Sequence, residues 1–176
     1  DKFENMRVLS ELENVSGRFQ HSISKGGVHS IVDYAHTPDA LKNVLETINS
    51  IRTNNEQVIT VVGCGGDRDK TKRPKMGNIA SSLSNQVVFT SDNPRSEDPE
   101  LIIRDVEAGV RPEHYKKTIS IVDREQAIKT ACKLAQQGDI LLVAGKGHET
   151  YQIIGDRKTN FDDFEIMNKI LTELNK

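Results

Sequence analysis

The sequence is poor in cysteine, and neither of its two cysteines, Cys64 and Cys132, falls in a CxxC pair or a framework pattern. That excludes a disulfide scaffold and a structural zinc site, and makes a reducing cytoplasm the expected compartment. Long apolar runs are missing too. The longest, such as Ile140 to Ala144, are strand-sized and too short to cross a bilayer. The opening residues, Asp1 to Asn14, are charged and lack the apolar stretch of a signal peptide. The chain also opens without methionine, which suits an excised piece of something longer. Charge of one sign is absent: 24 basic against 26 acidic residues leave a net charge of −2, which argues against a nucleic acid or an anionic membrane as partner. There is no G-x-S-x-G nucleophile elbow, no isolated carboxylate pair for hydrolysis, and no GxGxxG fingerprint. Lys146 follows a glycine, but Gly147 stands where a Walker A loop needs Ser or Thr, so the chain by itself has no P-loop for a triphosphate.

What is present is a strand–helix alternation with ordinary soluble composition, 35% hydrophobic and 28% charged over 176 residues. Val28 to Asp33 is β-rich, and from Pro38 the residues Leu41, Val44, Leu45 and Ile48 recur at helical spacing. Val58 to Val62 is a continuous apolar run of the buried parallel-strand kind, with a helix from about Arg73 to Leu83. Gln86 to Thr90 is the next strand, then a helix over Pro99 to Val110, then a strand over Thr118 to Val122. Asp123 is a good N-cap for a helix carrying Ala127, Ile128, Ala131 and Leu134. Ile140 to Ala144 is the most apolar strand, Tyr151 to Ile154 reads as an edge strand, and Asp162 opens a last amphipathic helix. The prediction is an α/β fold: one doubly wound, mostly parallel, Rossmann-like sheet with helices on both faces. It is read as a single domain over residues 1–176, with Asp1 to Gly17 as a lead-in from a preceding domain.

Ligands of such sheets bind beyond the carboxyl ends of the strands. Four polar clusters follow four strands there: Asp33-Tyr-Ala-His-Thr-Pro38, Gly63-Cys-Gly-Gly-Asp-Arg-Asp69, Asp92-Asn-Pro-Arg95 and Gly145-Lys-Gly-His-Glu149. Any one of them, taken singly, reads as a plain turn. Four together, if their strands are neighbours, make one crevice. Arg68, Lys70, Lys72 and Arg73 make the end of the Val58–Val62 strand strongly cationic, a solvated charge run or a carboxylate site. Asn93 and Arg95 place an amide and a guanidinium on a proline-stiffened turn, suited to the carboxylate and amine of an amino acid. Glu149 is the negative counterpart, and Gly145 offers a backbone carbonyl to an ammonium. Asp33 at its strand end suits ribose hydroxyls. His36 either faces a nucleotide or is structural, and His148 reads as structural. His21, His29 and His114 read as surface residues.

At these motifs the chain resembles the third domain of the Mur ligase family, in its diaminopimelate-adding form. The resemblance rests on Gly17-Arg-Phe19, Asp33 to Leu41, Gly63 to Pro74, Thr90 to Pro99, Gly145 to Glu149 and Phe161-Asp-Asp163, in order from Gly17 to the C-terminus. It implies a three-domain bacterial, cytoplasmic enzyme of which this is the last domain. That family uses ATP and Mg²⁺ to turn a glutamate side chain of a UDP-sugar dipeptide into an acyl phosphate, which the amine of the incoming amino acid attacks. The resemblance places the P-loop and the magnesium in the central domain and the UDP-sugar site largely in the N-terminal one. In this chain it implies a meso-diaminopimelate site of Arg68, Asp92, Asn93, Pro94, Arg95, Gly145 and Glu149. It implies a nucleotide side of Arg18, Asp33 and His36, with no catalytic acid or base and no metal ligand. A lysine-adding, folate or cyanophycin type of ligase domain is the neighbouring reading; Arg95 argues against the lysine-adding form, because lysine lacks the second carboxylate. A non-catalytic amino-acid or nucleotide sensor is the reading from another class.

Overall fold

The structure, a computed structural model, describes residues 16–176, so the expected lead-in over Asp1–Gly17 lies outside the described residues except for its last two positions. Six strands form one sheet. They are β1 (Gln20–Ile23), β2 (His29–Asp33), β3 (Val58–Val62), β4 (Gln86–Phe89), β5 (Thr118–Ser120) and β6 (Ile140–Ala144), in the order β1-β2-β6-β3-β4-β5. All neighbours pair in parallel except β1, which runs antiparallel to β2. Among the described residues, five α-helices connect or flank them: α1 (Pro38–Ile51), α2 (Lys72–Leu83), α3 (Pro99–Glu107), α4 (Arg124–Leu134) and α5 (Asp163–Glu173).

The central strands β3 and β6 are buried along their whole length, as a strand with helices over both faces must be. Side chains alternate across the sheet. Leu142 and Ala144 of β6 join a core with α1, α2 and α3, whereas Leu141 and Val143 join a second core with α4 and α5. Leu41, Val44, Leu45 and Ile48 of α1 are all buried, each contributing on the order of 1.5–3 kcal/mol. Side-chain caps begin four helices: Thr37 accepts from Ala40 N, Asp98 from Glu100 N, Asp123 from Gln126 N, and Asp162 from Phe164 N and Glu165 N.

The doubly wound α/β reading therefore holds, with four local corrections. Tyr151–Ile154 is no edge of the main sheet; as β7 it pairs with β8 (Arg157–Asn160) in a separate hairpin. Strand β1 carries no alternating apolar pattern and forms by pairing with β2. Its residue His21 is buried and stacks on half-buried His29 at 5.5 Å between ring centroids, so neither is a plain surface residue. Leu134, at the end of α4, points outward and is 42% exposed.

Candidate functional site

The strands that carry the four polar clusters, β2, β6, β3 and β4, are consecutive in the sheet, so their following loops meet in one crevice. A cleft of about 450 Å³ opens there. Arg68, Asp92, Asn93, Arg95, Gly145 and Glu149 line it, and so does His36; Pro94, Arg18 and Asp33 do not.

The turn after β4 is the structural hub. Asn93 Oδ1 accepts from Lys146 Nζ at 3.1 Å and from Ile153 N at 2.9 Å, while its Nδ2 donates to Glu149 Oε2 at 3.0 Å. Its carboxamide thus orients three neighbours while the residue itself lines the cleft. Arg95 sits at φ 53°, and its backbone bridges to the β7–β8 hairpin through Ile153 O at 3.1 Å and Gly155 N at 2.7 Å. Gln152 Nε2 adds a bond to Asp92 O at 2.7 Å. The hairpin thus clamps the turn that carries Arg95. Pro94 acts through its backbone: a Cβ on Gly66 would lie 1.8 Å from Pro94 O, so only glycine lets the loop after β3 pack on this turn.

Two guanidiniums at the cleft form no salt bridge among the described residues, although Arg95 adds through space to the lowering of the Asp67 carboxyl that hydrogen bonds from Ser96 chiefly cause. Arg95 Nη1 donates to Gly66 O at 2.9 Å and Asn93 O at 3.3 Å, and Arg68 Nη1 to Asp67 O at 2.9 Å. Arg73, read with them as part of a cationic strand end, behaves differently. It is 1% exposed and bonded to Glu97 and Asp105, both at 2.9 Å. Its hydrogen bonds hold the Glu97 carboxyl down to about 2. Its charge is spent inside the fold and contributes no cation to the cleft.

Opposite these cations stand Asp92 and Glu149. Burial pushes the Asp92 carboxyl above its usual range, opposed by the charges of Arg124 and Lys146. Gly145, at φ 119°, leaves room for it: a Cβ there would come within 2.9 Å of Asp92 Oδ2. On the expected nucleotide side, Asp33 Oδ2 accepts from Phe19 N at 2.8 Å, and burial raises its carboxyl. Arg18 is exposed beside it. His36 is exposed, with Nδ1 2.8 Å from Tyr34 O and its ring 4.4 Å from that of Tyr34.

Two residues escaped the sequence reading. Lys146, dismissed as a failed P-loop lysine, is wholly buried at the heart of the site. Arg124 is equally buried: it pairs with Asp163 through Nε and Nη2 at 2.8 Å, and donates to Ser91 O at 3.0 Å and Ala144 O at 3.3 Å. It thereby ties the ends of β4 and β6 together. An arginine in the first turn of α4 opposes the helix dipole, and that mismatch was a legible signal that it serves elsewhere. Among the described residues, no group of three or more His, Cys, Asp or Glu is placed to hold a metal ion, and no helix is long and apolar enough to cross a membrane.

The fold and the crevice define an α/β domain of the open, doubly wound kind, with its ligand cleft beyond the strand ends. The chain belongs to the Mur ligase family: the family model described as "Mur ligase, glutamate ligase domain" matches residues 17–147. It is 55% identical over 176 residues to a UDP-N-acetylmuramoyl-L-alanyl-D-glutamate–2,6-diaminopimelate ligase of Cytophaga hutchinsonii, covering 100% of this chain and 36% of the relative. A ligase of the same name from Bacillus velezensis is 52% identical over 169 residues, covering 96% of this chain and 34% of that protein. A solved structure of such a ligase superposes with a TM-score of 0.84 at 42% identity, over 94% of this chain and 33% of that one. A folylpolyglutamate synthase/dihydrofolate synthase from Yersinia pestis, solved with AMPPNP and a manganese ion, shares the fold at a TM-score of 0.57 and 18% identity, over 94% of this chain and 33% of its own. The chain spans about a third of the length of the curated relatives it matches.

Proposed function

We propose that residues 1–176 are the C-terminal, amino-acid-binding domain of a cytoplasmic bacterial ligase that joins meso-diaminopimelate to UDP-N-acetylmuramoyl-L-alanyl-D-glutamate in peptidoglycan precursor synthesis. The observation that carries this reading is the pairing, across one cleft, of two guanidiniums that form no salt bridge among the described residues, Arg68 and Arg95, with the carboxylate of Glu149. A diaminopimelate molecule has two carboxylates and two amines. Arg68, Arg95 and Glu149 together suit a substrate held by both carboxylates and one ammonium, with the second amine left to react.

The chain's own contribution is then positioning. Arg68 and Arg95 fix the carboxylates, Glu149 fixes the ammonium at the non-reacting centre, and the attacking amine is delivered to an acyl phosphate made elsewhere. Holding two reactants in register is worth several kcal/mol of barrier without any acid–base group. ATP supplies the phosphoryl group. The domains outside this chain hold its phosphates and Mg²⁺, with Arg18, Asp33 and His36 meeting the nucleoside side.

The test is amide formation by the intact protein that carries this chain, supplied with ATP and the UDP-sugar dipeptide, and offered meso-diaminopimelate or lysine in parallel. Strong preference for meso-diaminopimelate is expected, with no ligation by the 176-residue chain alone. Preference for lysine, or amide formation by the chain alone, would overturn the reading.

A further inference from the structure

We infer that Lys146 is a positioning residue for the amino-acid substrate: it holds one oxygen of Glu149 so that the other is presented to a substrate ammonium. The inference rests on the proposed amino-acid site. Lys146 follows directly on β6 at the centre of the sheet and is 0% exposed. A buried ammonium is costly unless its donors are matched. Its Nζ meets Asn93 Oδ1 at 3.1 Å and Glu149 Oε2 at 3.2 Å, and lies 5.4 Å from the centre of the Tyr151 ring.

The bonds converge on one atom. Glu149 Oε2 takes both Lys146 Nζ and Asn93 Nδ2, whereas Oε1 takes no hydrogen bond from the described residues. Two donors on one oxygen fix the carboxylate plane, and Asn93 is in turn fixed by Lys146 and by Ile153 N. Without Lys146 the carboxamide and the carboxylate each lose a shared restraint.

A cation beside Glu149 must also weaken its pull on a substrate ammonium, so two opposed effects meet at this residue. The surrounding charges show how both are accommodated. Arg124 is taken up by its buried pair with Asp163, and Lys146 divides its donors between the neutral Asn93 Oδ1 and Glu149 Oε2, which leaves Glu149 Oε1 without a hydrogen bond from the described residues. Orientation is therefore the effect Lys146 adds, while attraction for an ammonium is left to Oε1.

The experiment compares Lys146→Gln and Lys146→Met with the parent in the intact protein, measuring kcat, the KM of each substrate and the melting temperature. Gln keeps a donor for Glu149 Oε2 without the charge; Met keeps the stem alone. The KM for meso-diaminopimelate should rise by about 10-fold in Lys146→Gln and toward about 100-fold in Lys146→Met, the scale of a misplacement near 1 Å. The KM for ATP should stay within about twofold. A lower amino-acid KM in either variant would mean that charge repulsion was the dominant effect. An unchanged amino-acid KM with reduced kcat and melting temperature would mean a purely structural role. Either result defeats the inference. If Lys146→Met does not fold, Lys146→Gln decides alone. If the parent enzyme takes lysine in place of meso-diaminopimelate, the proposed substrate fails, but the same comparison is read on the KM for lysine.

Discussion

Asn93 donates to Glu149 Oε2 at 3.0 Å, and this bond vaults over the end of β3, because β3 lies between the two strands, β4 and β6, whose loops carry the pair. Loops from non-adjacent strands are thus held as one rigid unit beneath the cleft. Arg124 does the same one layer down, reaching Ser91 O and Ala144 O from α4. The specificity of the site depends on this bracing as much as on the groups that face the cleft.

The Arg124–Asp163 pair is wholly buried, and removing one partner leaves the other as an uncompensated charge. Arg124→Met should therefore cost about 3–5 kcal/mol of stability. The double variant Arg124→Met/Asp163→Leu should recover a large part of that loss, since the stranded carboxylate is gone. Urea denaturation of the four members of the cycle measures the coupling. Equal losses in the single and the double variant would show that the strand-end carbonyls, not the ion pair, hold α4 in place.

The central sheet was legible because buried parallel strands read as unbroken apolar runs, as in Val58–Val62 and Ile140–Ala144, and because the apolar face of α1 repeats at helical spacing. The cleft was legible because turn chemistry followed each of those strands. What escaped is set by long-range pairing. Gln20-His-Ser-Ile23 becomes a strand only through its partner β2. The β7–β8 hairpin reaches the Arg95 turn largely through backbone bonds that no side-chain pattern encodes. Arg73 and Lys146 look like surface charges in a linear reading; the carboxylates that bury them lie between 3 and 32 positions away.

His21 gives the fold a pH dependence of its own. Burial first, and the neighbouring His29 second, lower its pKa from 6.5 to about 4. Between those values the unfolded chain binds more protons than the folded one, so stability rises with pH through that window and is complete above it. On acidification from pH 6.5 to 4 the protein should lose stability on the order of 2–3 kcal/mol through this residue. His21→Phe keeps a ring without the titration and should flatten the profile of unfolding free energy against pH. A profile equally steep in parent and variant would move the dependence to other groups.

Gly145 adopts φ 119°, outside the range of ordinary L residues, and its Cβ position lies 2.9 Å from Asp92 Oδ2. Gly145→Ala should cost on the order of 1–3 kcal/mol in backbone strain and displace the Asp92 carboxylate. Melting temperature and the KM for the amino acid should move together. A change in stability with an unaltered amino-acid KM would detach Asp92 from the binding site.

Arg95 carries the sharpest expectation. Meso-diaminopimelate differs from lysine by a second carboxylate, and a site that reserves a guanidinium for that group rejects a ligand that leaves it unpaired. Arg95 is half-buried, so the discrimination should approach but not exceed the roughly 10⁴-fold that a fully buried polar group left unsatisfied can give. Arg95→Ala in the intact protein should therefore lower kcat/KM for meso-diaminopimelate steeply and act far less on the already poor rate with lysine. The structure adds a second component to this expectation. Arg95 Nη1 also donates to Gly66 O at 2.9 Å, so some loss common to both amino acids should accompany the selective one. Arg95→Lys separates the two, since it keeps a positive charge but cannot reproduce the planar fork. It should retain more activity with meso-diaminopimelate than Arg95→Ala while still falling well below the parent. The measurement is kcat/KM for both amino acids with all three proteins at saturating ATP and UDP-sugar dipeptide. Equal proportional losses for the two amino acids would mean that Arg95 serves only to hold the loop after β3, and the selectivity would have to be sought at Arg68.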